Sequence, residues 1–432
     1  MAGGGLVCLS VLTAMLSGAS VLDQRRAVST SLDGHAMKYL NLAAELDALD
    51  PASVDFVLGG TGEKERQSMP TFASISERSR TLAAQVRAAD DNSGEDAGRA
   101  RALAQQLGAL SLRSDLQTGT RVSFADELDR LFAIDLFSLS EPSDNGDAAR
   151  EALARRLPGT GSLARRLSAY QGRFIVPRAR LHDVVVQSIA ACRRKTTRFL
   201  TLPDGEALTV EYVADRPWSG YSVYLGNYAS VMQVNRAMPL SIGQVLNLAC
   251  HEGYPGHHTH NSLRDQHLNQ RGNRPEAKTL LIFSPDGFHA EALAAAAAAM
   301  AFSIDERAHV FREVLFPVAG LDPDEADTYA EICDLIDRLT GNTTLMLRRY
   351  LSSELSATEA ATALEQDALM EHPEGLLAYV DRYRGYTLAY TWGRDRLLSK
   401  LTAPTLGVED RWTLLQHYLT SPRDQDDLFA AR

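Results

Sequence analysis

The range His251–His258 reads HEGYPGHH and therefore places three histidines and one glutamate within eight residues. Neutral imidazoles are the usual ligands of zinc, and a carboxylate that lies beside the metal without binding it is the base that metal-assisted hydrolysis needs. The pattern predicts a zinc site in which His251 is a ligand and Glu252 is the general base. The alternative is an ordinary exposed pair at the end of a helix.

The usual motif of zinc peptidases is H-E-x-x-H on one helix, but Pro255 stands where the second histidine is expected. His257 and His258 are the next candidates. On a straight helix His258 would return to the side of His251, yet it would lie ~10.5 Å away along the axis, too far to share one ion. Because Pro255 has no N–H and forces a kink, we expect a bulged turn after Glu252. The residues alone leave His257 and His258 both open.

This stretch resembles HExxPGHH, the hallmark of the bacterial proteins known as domain of unknown function 885. The resemblance extends from about Leu32 to the C-terminus. It implies a mostly helical fold similar to the thimet-oligopeptidase-like and thermostable-carboxypeptidase-like zinc peptidases. It also implies that His257, which directly follows Pro-Gly, is the second histidine ligand.

Two later stretches are similar to further motifs of that family. The range Phe288–Ala294 is similar to a motif like EGWA, in which the glutamate is Glu291 and the Gly-Trp pair is absent. The resemblance implies that Glu291 completes the zinc site. The range Gly385–Gly393 is similar to GQALxYxxG, and its tyrosine, Tyr390, is implied to donate a hydrogen bond to the oxyanion.

Each of these residues also has an ordinary explanation. A carboxylate such as Glu291 is favourable near the N-terminus of a helix whatever its function, and Asp286 and His289 are rival ligands. A lone tyrosine on a helix is more often a packing residue. The family's glutamine three positions after the second histidine is His260 here, so whether His258 or His260 joins the metal site stays open.

The element that must position His251 is a helix predicted over about residues 242–258. Ser241 and Gln244 have the spacing of a capping box at its start. The apolar residues that recur at helical spacing after this cap are Ile242, Val245, Leu246 and Ala249. The second element is the alanine-rich helix that follows Glu291, whose small side chains allow the close approach that a shared metal demands.

The remaining chain is read as successive helices, with one strand-like region at about residues 206–235. We expect a small antiparallel sheet there, whose edge either pairs with an extended peptide or merely covers the helices. The predicted fold class is mainly α, a multi-helix zincin-like metallopeptidase fold with this β insertion. Residues 31–432 are expected to form a single large helical domain, preceded by a leader or signal segment at residues 1–30.

Composition narrows the possible partners. A formal net charge of −11 over 432 residues argues against nucleic acid, because phosphate binding needs a basic surface. Neither a G-x-S-x-G elbow nor a G-x-G-x-x-G fingerprint occurs. The four cysteines, which are Cys8, Cys192, Cys250 and Cys333, show no CxxC spacing and do not suggest a disulfide framework. Cys250 is interpreted as a buried packing residue.

The N-terminal apolar run from Leu6 to Leu16 has the length of a signal peptide and is too short to span a bilayer. No lysine or arginine precedes it, and the first basic residue is Arg25. The sequence therefore favours a cytoplasmic enzyme, with export or a periplasmic location as the alternative.

Together these observations predict a zinc-dependent peptidase, carboxypeptidase-like or oligopeptidase-like, in which zinc activates a water and Glu252 acts as general base. The expected substrate is a peptide or a small amide, and the oligomeric state stays open. Arg382, Arg384 and Arg394 are candidates to hold a terminal carboxylate. The alternatives are a metal-dependent hydrolase of a non-peptide amide or ester and a non-catalytic protein with a structural zinc.

Overall fold

The computed structural model describes residues 32–59, 69–88, 94–139, 146–421 and Phe429. Within these residues the chain is mainly helical, with two small β-sheets, as predicted for the fold class. The predicted leader at residues 1–30 lies outside the described residues.

The helices of the first half of the chain are α1 (32–49), α2 (Phe72–Ala88), α3 (Gly94–Gln117), α4 (Phe124–Phe132), α5 (Asp147–Arg156), α6 (Leu163–Gly172) and α7 (Leu181–Thr197). Those of the second half are α8 (Ile242–Glu252), α9 (His257–Arg264), α10 (Pro285–Ala301), α11 (Ile304–Val310), α12 (Phe316–Ala319), α13 (Ala326–Asp337), α14 (Thr340–Leu351), α15 (Ala357–Asp367), α16 (Glu374–Tyr383), α17 (Trp392–Leu401) and α18 (Val408–Thr420). The strands are β1 (Val54–Val57), β2 (Ala207–Val213), β3 (Gly220–Gly226), β4 (Ala229–Asn235) and β5 (Thr279–Leu281).

The predicted strand region forms a mixed sheet rather than an antiparallel one. The strand order is β2-β4-β3, with β4 antiparallel to β3 and parallel to β2. The turn between β3 and β4 is tight, with Asn227 and Tyr228 at φ 50° and 63°, so these two strands form a hairpin. The prediction of an antiparallel sheet was therefore wrong for β2. Alternation of apolar residues identifies a strand but does not show which strand it pairs with or in which direction. A second, antiparallel sheet pairs β1 with β5.

Helix α8 begins with the predicted capping box, in which Ser241 and Gln244 each accept a hydrogen bond from the other's backbone N–H. Its predicted apolar residues, Ile242, Val245, Leu246 and Ala249, are fully buried. Burying such a side chain stabilises a fold by roughly 1.5–3 kcal/mol for the larger residues. The buried face packs α8 between α7 and α10.

A disulfide bond joins Cys192 on α7 to Cys250 on α8, with the two Cα atoms 5.5 Å apart. This corrects the interpretation of Cys250 as a mere packing residue. The sequence could not show the pairing, because 58 residues separate the two cysteines and only the packing of α7 on α8 brings them together. The bond fixes α8 one residue before His251.

No single helix in the described part of the chain is long and apolar enough to cross a membrane. Helix α10 and the segment Ile304–Ala319 satisfy the length and composition criteria only when taken together, and they are bent by 79°.

Replacing Cys192 and Cys250 together by alanine should lower the free energy of unfolding by about 2–4 kcal/mol, because a cross-link over a loop of this length restricts the unfolded chain. Urea denaturation with and without a thiol reductant tests this. Reduced wild-type protein should approach the double variant, whose own stability should not respond to the reductant. Equal stability of the oxidised wild type and the double variant would contradict the prediction.

Candidate metal centre

The chain breaks its helix directly after Glu252. A single helix was predicted over about residues 242–258, but α8 ends at Glu252 and α9 begins at His257. The Gly256 N–H donates to the carbonyl of Cys250 at 3.0 Å, and a Cβ on Gly256 would lie 1.9 Å from the carbonyl oxygen of His251. Only glycine allows the chain to pass this close. The chain therefore has a break between two helices where a bulged turn was expected. This break brings His257 close to His251.

Three side chains converge at this break. One potential ligand atom from each of His251, His257 and Glu291 lies within 4.8 Å of the other two. The Glu291 Oε1 atom is 3.1 Å from His251 Nε2, and its Oε2 atom is 3.5 Å from His257 Nε2. The structure therefore brings together the three residues that were predicted to hold the metal, from the end of α8, the start of α9 and the second turn of α10.

The residues fit a zinc ion by donor type and by spacing. Two tetrahedral zinc ligands at 2.0–2.2 Å from the ion lie roughly 3.3–3.6 Å from each other, close to the shorter separations found here. The Oε1 atom of Glu291 is buried and has no hydrogen-bond partner despite its approach to His251. A buried carboxylate oxygen without a hydrogen-bond partner is expected where a cation would bind.

The electrostatics of the metal-free group depend on Glu291. Burial disfavours the charged carboxylate, but the nearby His251 and His257 outweigh it and hold the pKa of Glu291 well below its usual value. Burial likewise lowers the pKa of His257, but the hydrogen bond and negative charge of Glu291 raise it to about 9. Glu291 therefore provides the negative charge that a cation at this position requires.

His258 has a different environment. Its Nδ1 atom lies 2.8 Å from Ser230 Oγ and its Nε2 atom 2.8 Å from Glu206 Oε2, with the side chain buried. Burial disfavours ionised Glu206, but hydrogen bonds from His258, Tyr254 and Arg193 lower its pKa to about 2. His258 thus belongs to a polar cluster that supports the α8–α9 turn, outside the metal group.

The other rival ligands also lie outside the group. Asp286 forms an ion pair with Arg264 at 3.1 Å, and the Nε2 atom of His289 lies 3.0 Å from the carbonyl oxygen of Tyr418. Burial, with the nearby His289, lowers the pKa of His260 well below its usual value. His260 and His289 are buried polar groups of the core around α9 and α10, and Asp286 is partly buried there.

Glu252 adjoins the ligands without belonging to the metal group. Its Oε1 atom lies 4.0 Å from His251 Nε2, and the side chain is 6% exposed. Burial raises the pKa of Glu252, although the nearby His251 and His257 oppose the shift. A carboxylate with a raised pKa is better able to carry a proton, as a general base must.

Three tyrosines lie near the ligands, namely Tyr379, Tyr386 and Tyr390. Tyr390 ends the 3₁₀ helix Arg384–Tyr390, and its ring stacks on His251 with the centroids 6.0 Å apart. Its hydroxyl lies 3.1 Å from that of Tyr379. Burial, reinforced by Glu291, raises the pKa of Tyr390 well above its usual value, so the hydroxyl stays protonated. It is therefore available as a hydrogen-bond donor at the site.

Two residues that support the metal group were not predicted from the sequence. Tyr386, at the position of the glutamine in the motif GQALxYxxG, donates a hydrogen bond of 2.6 Å to Glu291 Oε2. Asp55 on β1 accepts a hydrogen bond of 2.8 Å from the hydroxyl of Tyr221 on β3. Burial raises the pKa of Asp55, and the nearby His257 opposes the shift. The available signal for Asp55 was a single carboxylate within an apolar strand.

The three arginines that were considered for substrate binding have different environments. Arg384 forms an ion pair of 2.6 Å with Glu127, and Arg382 is exposed. Arg394 lines a cavity of about 560 Å³ that His251 and Glu252 also line. The cavity therefore adjoins one ligand, His251, and the candidate base.

No family model matches this chain, and no curated protein matches it. Among solved structures, it is similar to a "putative lipoprotein" from Colwellia psychrerythraea, with a TM-score of 0.46, 12% identity and coverage of 83% of this chain and 71% of that one. It is also similar to a "putative lipoprotein of unknown function" from Shewanella oneidensis, with a TM-score of 0.46, 13% identity and coverage of 83% and 73%. Resemblance at this level leaves the function to be argued from the site itself.

Replacing His257 and His258 by alanine in two separate variants should distinguish their roles. His257→Ala should abolish tight zinc binding, because it removes one of three ligands. His258→Ala should retain zinc with at most a ~10–100-fold weaker affinity, as expected for a residue that only supports the ligands. Zinc per folded chain, measured by mass spectrometry after dialysis, decides between them. A metal-free His258→Ala beside a zinc-loaded His257→Ala would reverse the assignment.

Proposed function

We propose that the protein is a zinc-dependent peptidase with a zincin-like active site. The observation that carries the proposal is the convergence of His251, His257 and Glu291 beside Glu252, with His251 and Glu252 also lining a cavity large enough for a substrate. The donor set of two histidines and one glutamate is the one that several zinc peptidases use.

The number of ligands favours catalysis over a structural zinc. A structural zinc site has four protein ligands, whereas a catalytic site has three and keeps one position open. Among the described residues the metal group contains three members. The carboxylate of Glu252 follows directly after the ligand His251 in the chain. Its Oε1 atom lies 4.0 Å from His251 Nε2, which suits a general base better than a fourth ligand.

A zinc ion held by these ligands would supply a lowered pKa for water and polarisation of the scissile carbonyl. Glu252 would accept the proton of the attacking water and then return it to the leaving amine. The Tyr390 hydroxyl would donate a hydrogen bond to the carbonyl oxygen as negative charge develops on it. Tyr386, through its hydrogen bond, would keep Glu291 in the orientation that metal binding needs.

The disulfide bears on the compartment in which the enzyme works. Disulfides persist in oxidising environments and are rare in the cytosol. A buried bond between Cys192 and Cys250 favours the exported alternative over the cytoplasmic location that the N-terminal sequence suggested.

Glu252→Gln should keep zinc and lose at least ~10²-fold in activity, because the glutamine cannot accept the proton. Hydrolysis of a synthetic peptide library, followed by mass spectrometry, provides the activity measurement. Glu365→Gln, on an exposed part of α15, is the matched control and should leave activity and zinc unchanged. Loss of zinc from Glu252→Gln would show that Glu252 is a ligand, and wild-type protein without any metal would rule out the zinc enzyme.

Tyr390→Phe should lower kcat by roughly 10²-fold with little change in stability, as expected when one oxyanion donor is removed. Tyr350→Phe is the control, because its hydroxyl also bonds one side chain, the carboxylate of Asp381 at 2.7 Å, but at an exposed position. Steady-state kinetics with the best library peptide provide the measurement. A fully active Tyr390→Phe enzyme would make Tyr390 a packing residue.

A further inference from the structure

The cavity beside the metal group has an alanine wall. On the α10 side it is lined by Ala294, Ala295, Ala298 and Ala299. Because a helix has 3.6 residues per turn and rises 1.5 Å per residue, Ala295 and Ala298 follow Glu291 on one face, at about 6 and 10.5 Å along the axis. The apolar wall therefore starts at the metal group and continues away from it.

Larger apolar side chains line the other sides of this cavity, among them Trp218, Leu240, Leu248, Leu347 and Leu376. Its volume of about 560 Å³ falls within the ~300–1,000 Å³ of typical small-molecule sites. The space near the metal group is therefore suited to a bulky apolar group.

Two charged residues of the lining, Arg394 and Asp337, are paired with each other and with residues behind them. Arg394 lies 2.7 Å from Asp395 and 3.6 Å from Asp337, and Asp337 also pairs with Arg307 at 3.1 Å. Two arginines and two aspartates leave no net charge. Away from Glu252, which also lines the cavity, a charged ligand would lose hydration without finding an unpaired counter-ion, so this part of the lining favours an uncharged ligand.

One polar group of the cavity is unsatisfied. Thr391 is 9% exposed, and its hydroxyl has no hydrogen-bond partner among the described residues. A buried hydroxyl without a partner is unfavourable, so a ligand that supplies the missing hydrogen bond gains affinity. Thr391 directly follows Tyr390 in the chain, and both residues line the cavity.

We propose that this cavity is the specificity pocket for a large, uncharged, apolar side chain next to the scissile bond. The alanine wall of α10 sets the depth of the pocket, and Thr391 hydrogen-bonds the backbone amide of the bound residue. The proposal rests on the peptidase function proposed above.

Binding of two blocked amino acids to the Glu252→Gln variant tests the pocket without hydrolysis. By calorimetry, N-acetyl-phenylalanine amide should bind at least ~10-fold more tightly than N-acetyl-alanine amide, in line with the discrimination that apolar pockets achieve. Adding Ala298→Leu, which fills the pocket, should remove this preference by weakening only the phenylalanine ligand. If the Ala298→Leu variant does not fold, Ala299→Leu provides a second variant that fills the pocket.

Two further variants complete the design. Thr391→Val should weaken both ligands equally, by roughly 3–10-fold, because both contain the backbone amide that its hydroxyl would bond. Ala378→Leu, on an exposed part of α16, is the matched control for the added leucine and should change neither affinity.

The outcomes separate this proposal from the peptidase function. If the wild type cleaves peptides without preferring bulky apolar residues, and filling the pocket changes nothing, the pocket proposal is wrong and the peptidase stands. If the binding pattern holds but no peptide is cleaved, the pocket stands and the peptidase fails. Absence of binding by N-acetyl-phenylalanine amide at millimolar concentration overturns the pocket.

Discussion

The site depends on how closely three backbone segments approach one another. His251 at the end of α8 and Glu291 in α10 can come within 3.1 Å because the two helices pack directly together. The close passage of Gly256 beside the carbonyl of His251 then allows the chain to restart a helix at His257. A side chain at position 256, or larger residues on α10, would separate the ligands, since a packed interior has little room to adjust.

Three carboxylates near this point each have a polar partner that offsets the cost of their burial. Tyr386 donates to Glu291, Tyr221 donates to Asp55, and His258 lies within hydrogen-bonding distance of Glu206. An unpaired carboxylate in the same place would be strongly destabilising. These bonds come from strands and helices that are distant in sequence, so the sheet and the helices together hold the ligands in place.

The alanines of α10 have two consequences in the same helix. On the turn that carries Glu291, small neighbours such as Ala292 and Ala294 are buried and allow dense packing around the ligand. Further along, Ala295 and Ala299 are only partly buried and line the cavity. One run of small residues thus permits both the close contact that forms the metal group and the free space beside it.

The sequence by itself determined the local features of this protein. The cap at Ser241, the apolar face of α8, the interruption at Pro255–Gly256 and the types of residue that could bind zinc are all encoded within a few positions, where propensity and periodicity act. The tertiary structure decided which groups meet. The parallel pairing of β2 with β4, the Cys192–Cys250 bond, the position of His258 beside Glu206 and the support from Asp55 all join residues far apart in the chain. Such contacts depend on packing across the whole fold, and no local pattern in the sequence specifies them.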